Sequence, residues 1–216
     1  MSTSAAPDIR AAAFHALSCG LCVIPPRQNG DKSPCVSEWK PFQASATTGD
    51  DLLGWYGKTG KSRFTGIGSL CGATSGNLEV VEFDASGEVY EAYKERAKKF
   101  GVDDIVERIE GGYCERSPSG GIHWLYRCEL IEGNTKLAQR YKTPEELTDT
   151  DRKAIAEAKA KGRTHRPIRP LIETRGEGGY IVLAPSNGKV HPSGLPYELL
   201  RGDLATITTT LMLWHV

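Results

Sequence analysis

The chain has 216 residues, 27 basic and 27 acidic side chains, and a formal net charge of zero at pH 7. An apolar content of 39% and a charged content of 25% are those of a globular domain, and a zero balance excludes nucleic-acid binding driven by bulk charge alone. No apolar run approaches the roughly 20 residues of a spanning helix, and MSTSAAPDIR lacks a secretory pattern, so a cytoplasmic chain without membrane contact is expected.

Residues 8–19 carry Ile9, Ala12, Ala13, Ala16 and Leu17 at helical spacing, and Gly20 is placed to end that helix. LCVIP follows as a short buried strand stopped by Pro25 and Pro26, and PPRQNGDKSP reads as a loop. Cys19 and Cys22 form a CxxC, but Cys35, Cys71, Cys114 and Cys128 are scattered singly. With no second pair, packing is favoured over a metal site. DDLLGWYG predicts a short helix capped by Asp50 or Thr48. GWYGKTGKS looks like a phosphate loop, yet Leu52 and Trp55 stand where its first glycine must be. GIGSLCG misses the dinucleotide fingerprint by one position.

GIGSLCG and LEVVEFD read as a hairpin around the turn GATSGN. In LEVVEFD, Glu82 and Asp84 are two apart, so both carboxylates face one side of a strand, about 7 Å apart at Cα. Taken alone, the pair fits a wet strand edge as well as a site for two divalent ions, where ligation replaces repulsion. SGEVYEAYKERAKKFG predicts a helix capped by Ser86, with early acids and late bases that match its dipole.

GYCERS and IHWLYRCEL read as strands around PSGG. There Ser117, Ser119 and the backbone N–H groups around Gly120 and Gly121 are placed to cradle phosphate oxygens, and His123 projects from the rim. Residues 129–167 read as a helical insertion that begins at TPEELTDTD and ends in a basic run: Arg152, Lys153, Lys159, Lys161, Arg163, Arg166 and Arg169. PLIETRG and GGYIVLAP form a final strand pair around Gly176–Gly179, followed by the loop SNGKVHPSG. Glu173 and Arg175 share a face of the first of these strands. Were that strand to lie beside LEVVEFD, Glu82, Asp84 and Glu173 would make a three-carboxylate cluster, with Arg175 as phosphate clamp or counter-charge. The element order is that of an α+β fold.

Acids in a strand, an SGGxH turn, then an acid with RGxGGY: in this order the motifs resemble the bifunctional primase–polymerase (prim-pol) family of the archaeo-eukaryotic primase superfamily, found in phage and plasmid replication proteins. GLCVIPPRQNGDKSPCVSEWK is similar to the family's entry strand and Lys-x-Pro loop. GIGSLCGATSGNLEVVEFD is similar to its first motif, SPSGGIHWLY to its second, and LIETRGEGGYIVLAPS with HPSG to its third.

The resemblance implies an archaeo-eukaryotic primase fold with mixed sheets. It has a small N-terminal αβ part (1–75) and an RRM-like catalytic part (76–200) carrying the helical insertion at about 129–167. It also implies DNA primase and DNA polymerase activity on single-stranded or primed DNA with dNTPs or NTPs. Glu82, Asp84 and Glu173 would ligate two Mg²⁺ or Mn²⁺ ions. His123 would ligate the triphosphate, helped by Ser117, Ser119, Gly120, Gly121, Arg175 and Lys32, and Lys161, Arg163, Arg166 and Arg169 would contact nucleic acid.

Glutamate stands at 82 and 173, where the family often has aspartate, and Gly121 precedes Ile122-His123 where Ser-x-His is expected. The insertion contains no cysteine and only His165, so no zinc is expected there. A two-metal nuclease and a non-catalytic strand- or origin-binding module remain as alternatives. The apolar ending TTTLMLWHV and the absence of a valid P-loop lead to the expectation of an N-terminal catalytic piece of a larger protein with a C-terminal helicase domain.

Overall fold

The computed structural model describes residues 7–59 and 62–210. Gly60 and Lys61 of the phosphate-loop look-alike, MSTSAA and the apolar 211–216 lie outside the described residues. The Asp8 carboxylate accepts the Ala11 N–H at 3.0 Å and so caps α1 (Ile9–Ser18), which buries Ile9, Ala13 and Ala16. After Gly20, at φ +79°, comes β1 (Cys22–Ile24). Thr48 and Asp51 form a reciprocal capping box at the start of α2 (Gly49–Tyr56).

The remaining elements are β2 (Ile67–Leu70), β3 (Leu78–Phe83), α3 (Tyr90–Lys99), α4 (Asp103–Gly112), β4 (Tyr113–Arg116), β5 (Ile122–Cys128), β6 (Thr135–Tyr141), α5 (Asp149–Ala160), β7 (Ile168–Arg175), β8 (Tyr180–Leu183), β9 (Glu198–Gly202) and β10 (Thr208–Thr210). Among the described residues they make an α+β architecture with two sheets. The smaller runs β1-β2-β8 and the larger runs β6-β7-β3-β5-β4-β9, with β10 parallel to β5 beyond the end of β4. The larger sheet sets Val81, Phe83, Trp124 and Ile172 against Ala97 of α3 and Val106 and Ile109 of α4. On its other face Leu78, Val80 and Leu125 pack with α1, α2, Val23 of β1, Ile67 of β2 and Leu183 of β8. The division near residue 75 is therefore bridged: β8 completes a sheet with β1 and β2, and one core spans both parts.

Two expected strand pairs divide between the sheets. β2 and β3 share only the Gly72–Leu78 bridge, and β8 pairs with β2 rather than with β7. Burial explains the departure, because β2 and β3 are covered on both faces, which a hairpin with one wet face does not provide. The turn at 73–75 redirects the chain, with the Ser75 hydroxyl donating to Leu70 O at 2.6 Å and accepting Cys22 N–H at 2.8 Å.

Ser86 does not cap α3. It sits at φ +60° and donates to Ser119 O at 3.0 Å, and the helix starts at Tyr90 with no side-chain cap on Val89. The 129–167 segment is not wholly helical. β6 joins the free edge of β7 despite an unpatterned sequence, and α5, capped by Thr148, buries no residue. α4, β9 and β10 also went unread in the sequence; every residue of β9 is exposed, so it shows no alternation, and β10 is a threonine run.

Candidate active site

β7, β3, β5 and β4 lie side by side in a register that aligns one residue from each. Glu173 faces Glu82, Glu82 faces His123, and His123 faces Glu115. Side chains at directly opposed positions share a sheet face, so three carboxylates and an imidazole form a continuous row. The expected pairing of the Glu173 strand beside LEVVEFD is thereby met.

The Arg175 Nε–H donates to Glu82 Oε2 at 2.6 Å and its NH2 group donates to Glu173 Oε2 at 3.1 Å. Arg175 is thus a counter-charge shared by two acids. Burial opposes the guanidinium's charge, but Glu82 and Glu173 outweigh it and raise its pKa. Lys136 reaches Glu173 only at 4.0 Å and is largely exposed.

Asp84 follows the last residue of β3. Its N–H bonds to Leu171 O at 2.9 Å, and at φ −75°, ψ −170° it prolongs the strand's alternation toward the Glu82 side. Its pKa is raised, first by burial and then by the charges of Glu82 and Glu173, against which His123 and Arg175 pull only in part. Beyond it the chain turns away sharply, with Ala85 at φ +51° and Ser86 at φ +60°, a conformation that non-glycine residues rarely hold without cause.

His123 Nε2 lies 3.8 Å from Glu82 Oε1, and its Nδ1–H donates to Glu115 Oε1 at 2.8 Å, since a carboxylate can only accept. Burial disfavours the imidazolium, but the Glu115 hydrogen bond and the charges of Glu115, Glu82 and Asp84 prevail, and the pKa is raised. The sequence reading missed Glu115, although GYCERS places it on one face with Tyr113, and register alone puts it opposite His123. Glu115 is fully buried. Its Oε2 accepts the Tyr113 hydroxyl and the Ala184 N–H, each at 2.7 Å. Tyr197 stands beside the imidazole, with ring centroids 6.2 Å apart.

The turn between β4 and β5 is locked onto the segment after Asp84. The Ser117 N–H donates to Gly121 O, the Gly120 N–H donates to Ser117 O, and the Ser117 and Ser119 hydroxyls are 3.4 Å apart. The Gly120 amide is therefore used within the turn and is not free to hold a phosphate. Gly121 is required, because a Cβ there would meet Phe83 O at 2.9 Å. Lys32, at φ +61°, lies near His191, whose pKa falls through burial and then through the Lys32 charge. No ion pair joins Lys32 to the acid row among the described residues.

β7 continues past the end of β3 as a two-stranded ribbon with β6, so Arg169 stands about 13 Å along the strand from Glu173. Arg169 faces Arg140, which binds Glu88 at 2.8 Å and Glu146 at 2.6 Å and ties the ribbon to the turn after Asp84. Arg166 lies over the Tyr141 ring at 3.6 Å, and Lys161 and Arg163 line a surface hollow of about 310 Å³ with His165. The basic residues thus sit on the ribbon and its helix, apart from the acid row.

Glu82, Asp84 and Glu173 offer hard oxygen donors, the type that divalent cations take, offset by one arginine and one histidine, but among the described residues their ligand atoms do not all lie within 4.8 Å of one another. Among the described residues no helix is long and apolar enough to cross a membrane. No curated protein matches the chain. The family model for the bifunctional DNA primase/polymerase N-terminal domain matches residues 12–210, nearly the whole length. The chain belongs to the bifunctional DNA primase/polymerase N-terminal (prim-pol) family.

Proposed function

We propose that this domain carries out template-directed nucleotidyl transfer in DNA replication, as a DNA primase and DNA polymerase, with Glu82, Asp84 and Glu173 holding two divalent ions. The row Glu173–Glu82–His123 across three neighbouring strands, with Asp84 one alternation step along β3 from Glu82, carries the reading. Bound Mg²⁺ or Mn²⁺ would acidify the attacking 3′-hydroxyl and offset the charge of the triphosphate.

The protein's own groups supply the rest. His123, held by Glu115 with Nε2 toward the acids, binds the triphosphate by donating an Nε2–H hydrogen bond to one of its oxygens. Arg175 keeps Glu82 and Glu173 aligned while lowering their mutual repulsion. Ser117, Ser119 and Gly121 fix the turn under the nucleotide, and Lys32 of the first loop, beside His191, would reach toward the triphosphate. Lys161, Arg163 and Arg166, between α5 and β7, and Arg169 of β7 contact the template backbone. A further helicase domain and a phage or plasmid setting complete the reading.

Incubation with single-stranded and primed templates, dNTPs and NTPs, and Mg²⁺ or Mn²⁺ tests it. Primer extension is expected, reduced on the order of 100-fold or more in Asp84→Asn, equivalent to about 2.7 kcal/mol of transition-state stabilisation. Shortening of the strand without dNTPs, or binding without any turnover, overturns it.

A further inference from the structure

The CxxC of the sequence does not act as a pair. Cys22 is buried in β1 with its thiol toward Phe42 O at 3.6 Å, whereas Cys19 ends α1 half-exposed. One helical turn earlier on the same face, His15 points at Asp203, with Nε2 to Oδ1 at 2.9 Å. Cys19 Sγ lies 3.9 Å from that same Nε2. Among the described residues, these three bring one ligand atom each within 4.8 Å of one another.

We infer that His15, Cys19 and Asp203 form a second metal site, separate from the acid row, that takes Zn²⁺ or a similar borderline-soft ion. A tetrahedral ion at about 2.3 Å from sulfur and 2.0–2.1 Å from nitrogen and oxygen sets its ligands roughly 3.3–3.6 Å apart. The observed 2.9 and 3.9 Å bracket that spacing, so small side-chain rotations suffice. Thiolate, imidazole and carboxylate together select zinc over the hard cations suited to Glu82, Asp84 and Glu173.

The surroundings favour a cation. His15 and Cys19 occupy the last turn of α1, the negative end of its dipole. Asp203 is preset, its Oδ1 accepting the Ala205 N–H at 2.8 Å. Binding displaces the Cys19 thiol proton to solvent. A cavity of about 240 Å³ beside His15 and Asp203, lined by Tyr113, Tyr197 and Leu199, leaves room for a water as fourth ligand. The ion would clamp α1 to the segment between β9 and β10, and β10 pairs with the His123 strand.

Cobalt substitution tests the site with a signal that oxygen ligands cannot give. With excess Mg²⁺ present, titration of the whole chain with Co²⁺ should produce a thiolate-to-cobalt charge-transfer band that saturates at one equivalent and is abolished by stoichiometric Zn²⁺. Cys19→Ser should lose the band, and His15→Ala should weaken binding at least tenfold. Asp203→Asn, which keeps the cap on Ala205, should retain the band at reduced affinity. Zn²⁺ should raise the melting temperature of the wild type but not of Cys19→Ser. No band, or a band that persists in a folded Cys19→Ser variant, overturns the inference.

Discussion

Glu115 accepts hydrogen bonds from an imidazole, a phenol and a backbone amide while having no access to solvent. Its charge is tolerable in the interior only because every donor is in place. Glu115→Leu would leave three buried donors unpaired, each worth about 1–3 kcal/mol, so a loss of at least about 3 kcal/mol in urea unfolding is expected. Glu115→Gln keeps one acceptor oxygen and should recover more than half of that loss. It should also raise the nucleotide KM more than it lowers kcat, because His123 then loses its fixed orientation. A Leu variant as stable as the wild type would remove Glu115 from this role. Arg175→Lys should be a poor substitute, since a lysine cannot bond two carboxylates through a planar fork, and stability and extension should both fall.

At the scale of elements, α3, α4 and β9 meet at Glu110, which is buried and accepts from Tyr90 and Lys94 and pairs with Arg201 at 2.9 Å. Burial works against its charge, but Lys94, Tyr90 and Arg201 prevail and lower its pKa. A lowered carboxylate contributes stability above its unfolded pKa, about 4.3, and loses it as pH falls through the folded value. Glu110→Gln should therefore cost about 1–3 kcal/mol at pH 7 and progressively less below about pH 4, measured by urea unfolding across pH.

The ribbon behaves differently. α5 buries nothing, and Tyr141 faces Ile168 across β6 and β7, so residues 143–166 can be replaced by a short glycine-rich turn. The melting temperature should then stay within a few degrees, while affinity for single-stranded DNA and its salt dependence both fall. Unchanged DNA binding would place the template elsewhere.

Across the whole molecule, two sheets share a core, and Glu82 and His123 of the candidate row lie on strands β3 and β5 that contribute to it. Glu115 joins β4 of the larger sheet to the residue after β8 of the smaller one, so the imidazole's setting depends on how the sheets dock. The chain's last described segment closes the same core. Leu204 is buried with α1, and Thr206 and Thr208 hydroxyls donate to Gly112 O and Arg108 O. Leu204→Ala should cost about 2 kcal/mol or more and lower the melting temperature, as measured by calorimetry. An unaltered melting temperature would mean that this segment does not contribute to the core.

Sequence by itself determined the α+β class, the helices that the structure sets at Ile9–Ser18 and Gly49–Tyr56, and the β4–β5 hairpin, and it proposed the candidate site residues Glu82, Asp84, His123, Glu173 and Arg175. The elements rested on local chemistry, namely caps, glycine turns and strand alternation, which neighbouring residues alone can express, whereas the candidate site rested on the order of motifs that resembles the family. Tertiary structure decided which strands lie side by side. Pairing is set by burial of both faces over long separations, so β2 and β3, and β7 and β8, parted into different sheets although each pair adjoins in sequence. It also decided that β6 would join an otherwise unpaired edge and that Glu115 would stand opposite His123. Only that register turns four separate motifs into one row of interacting charges.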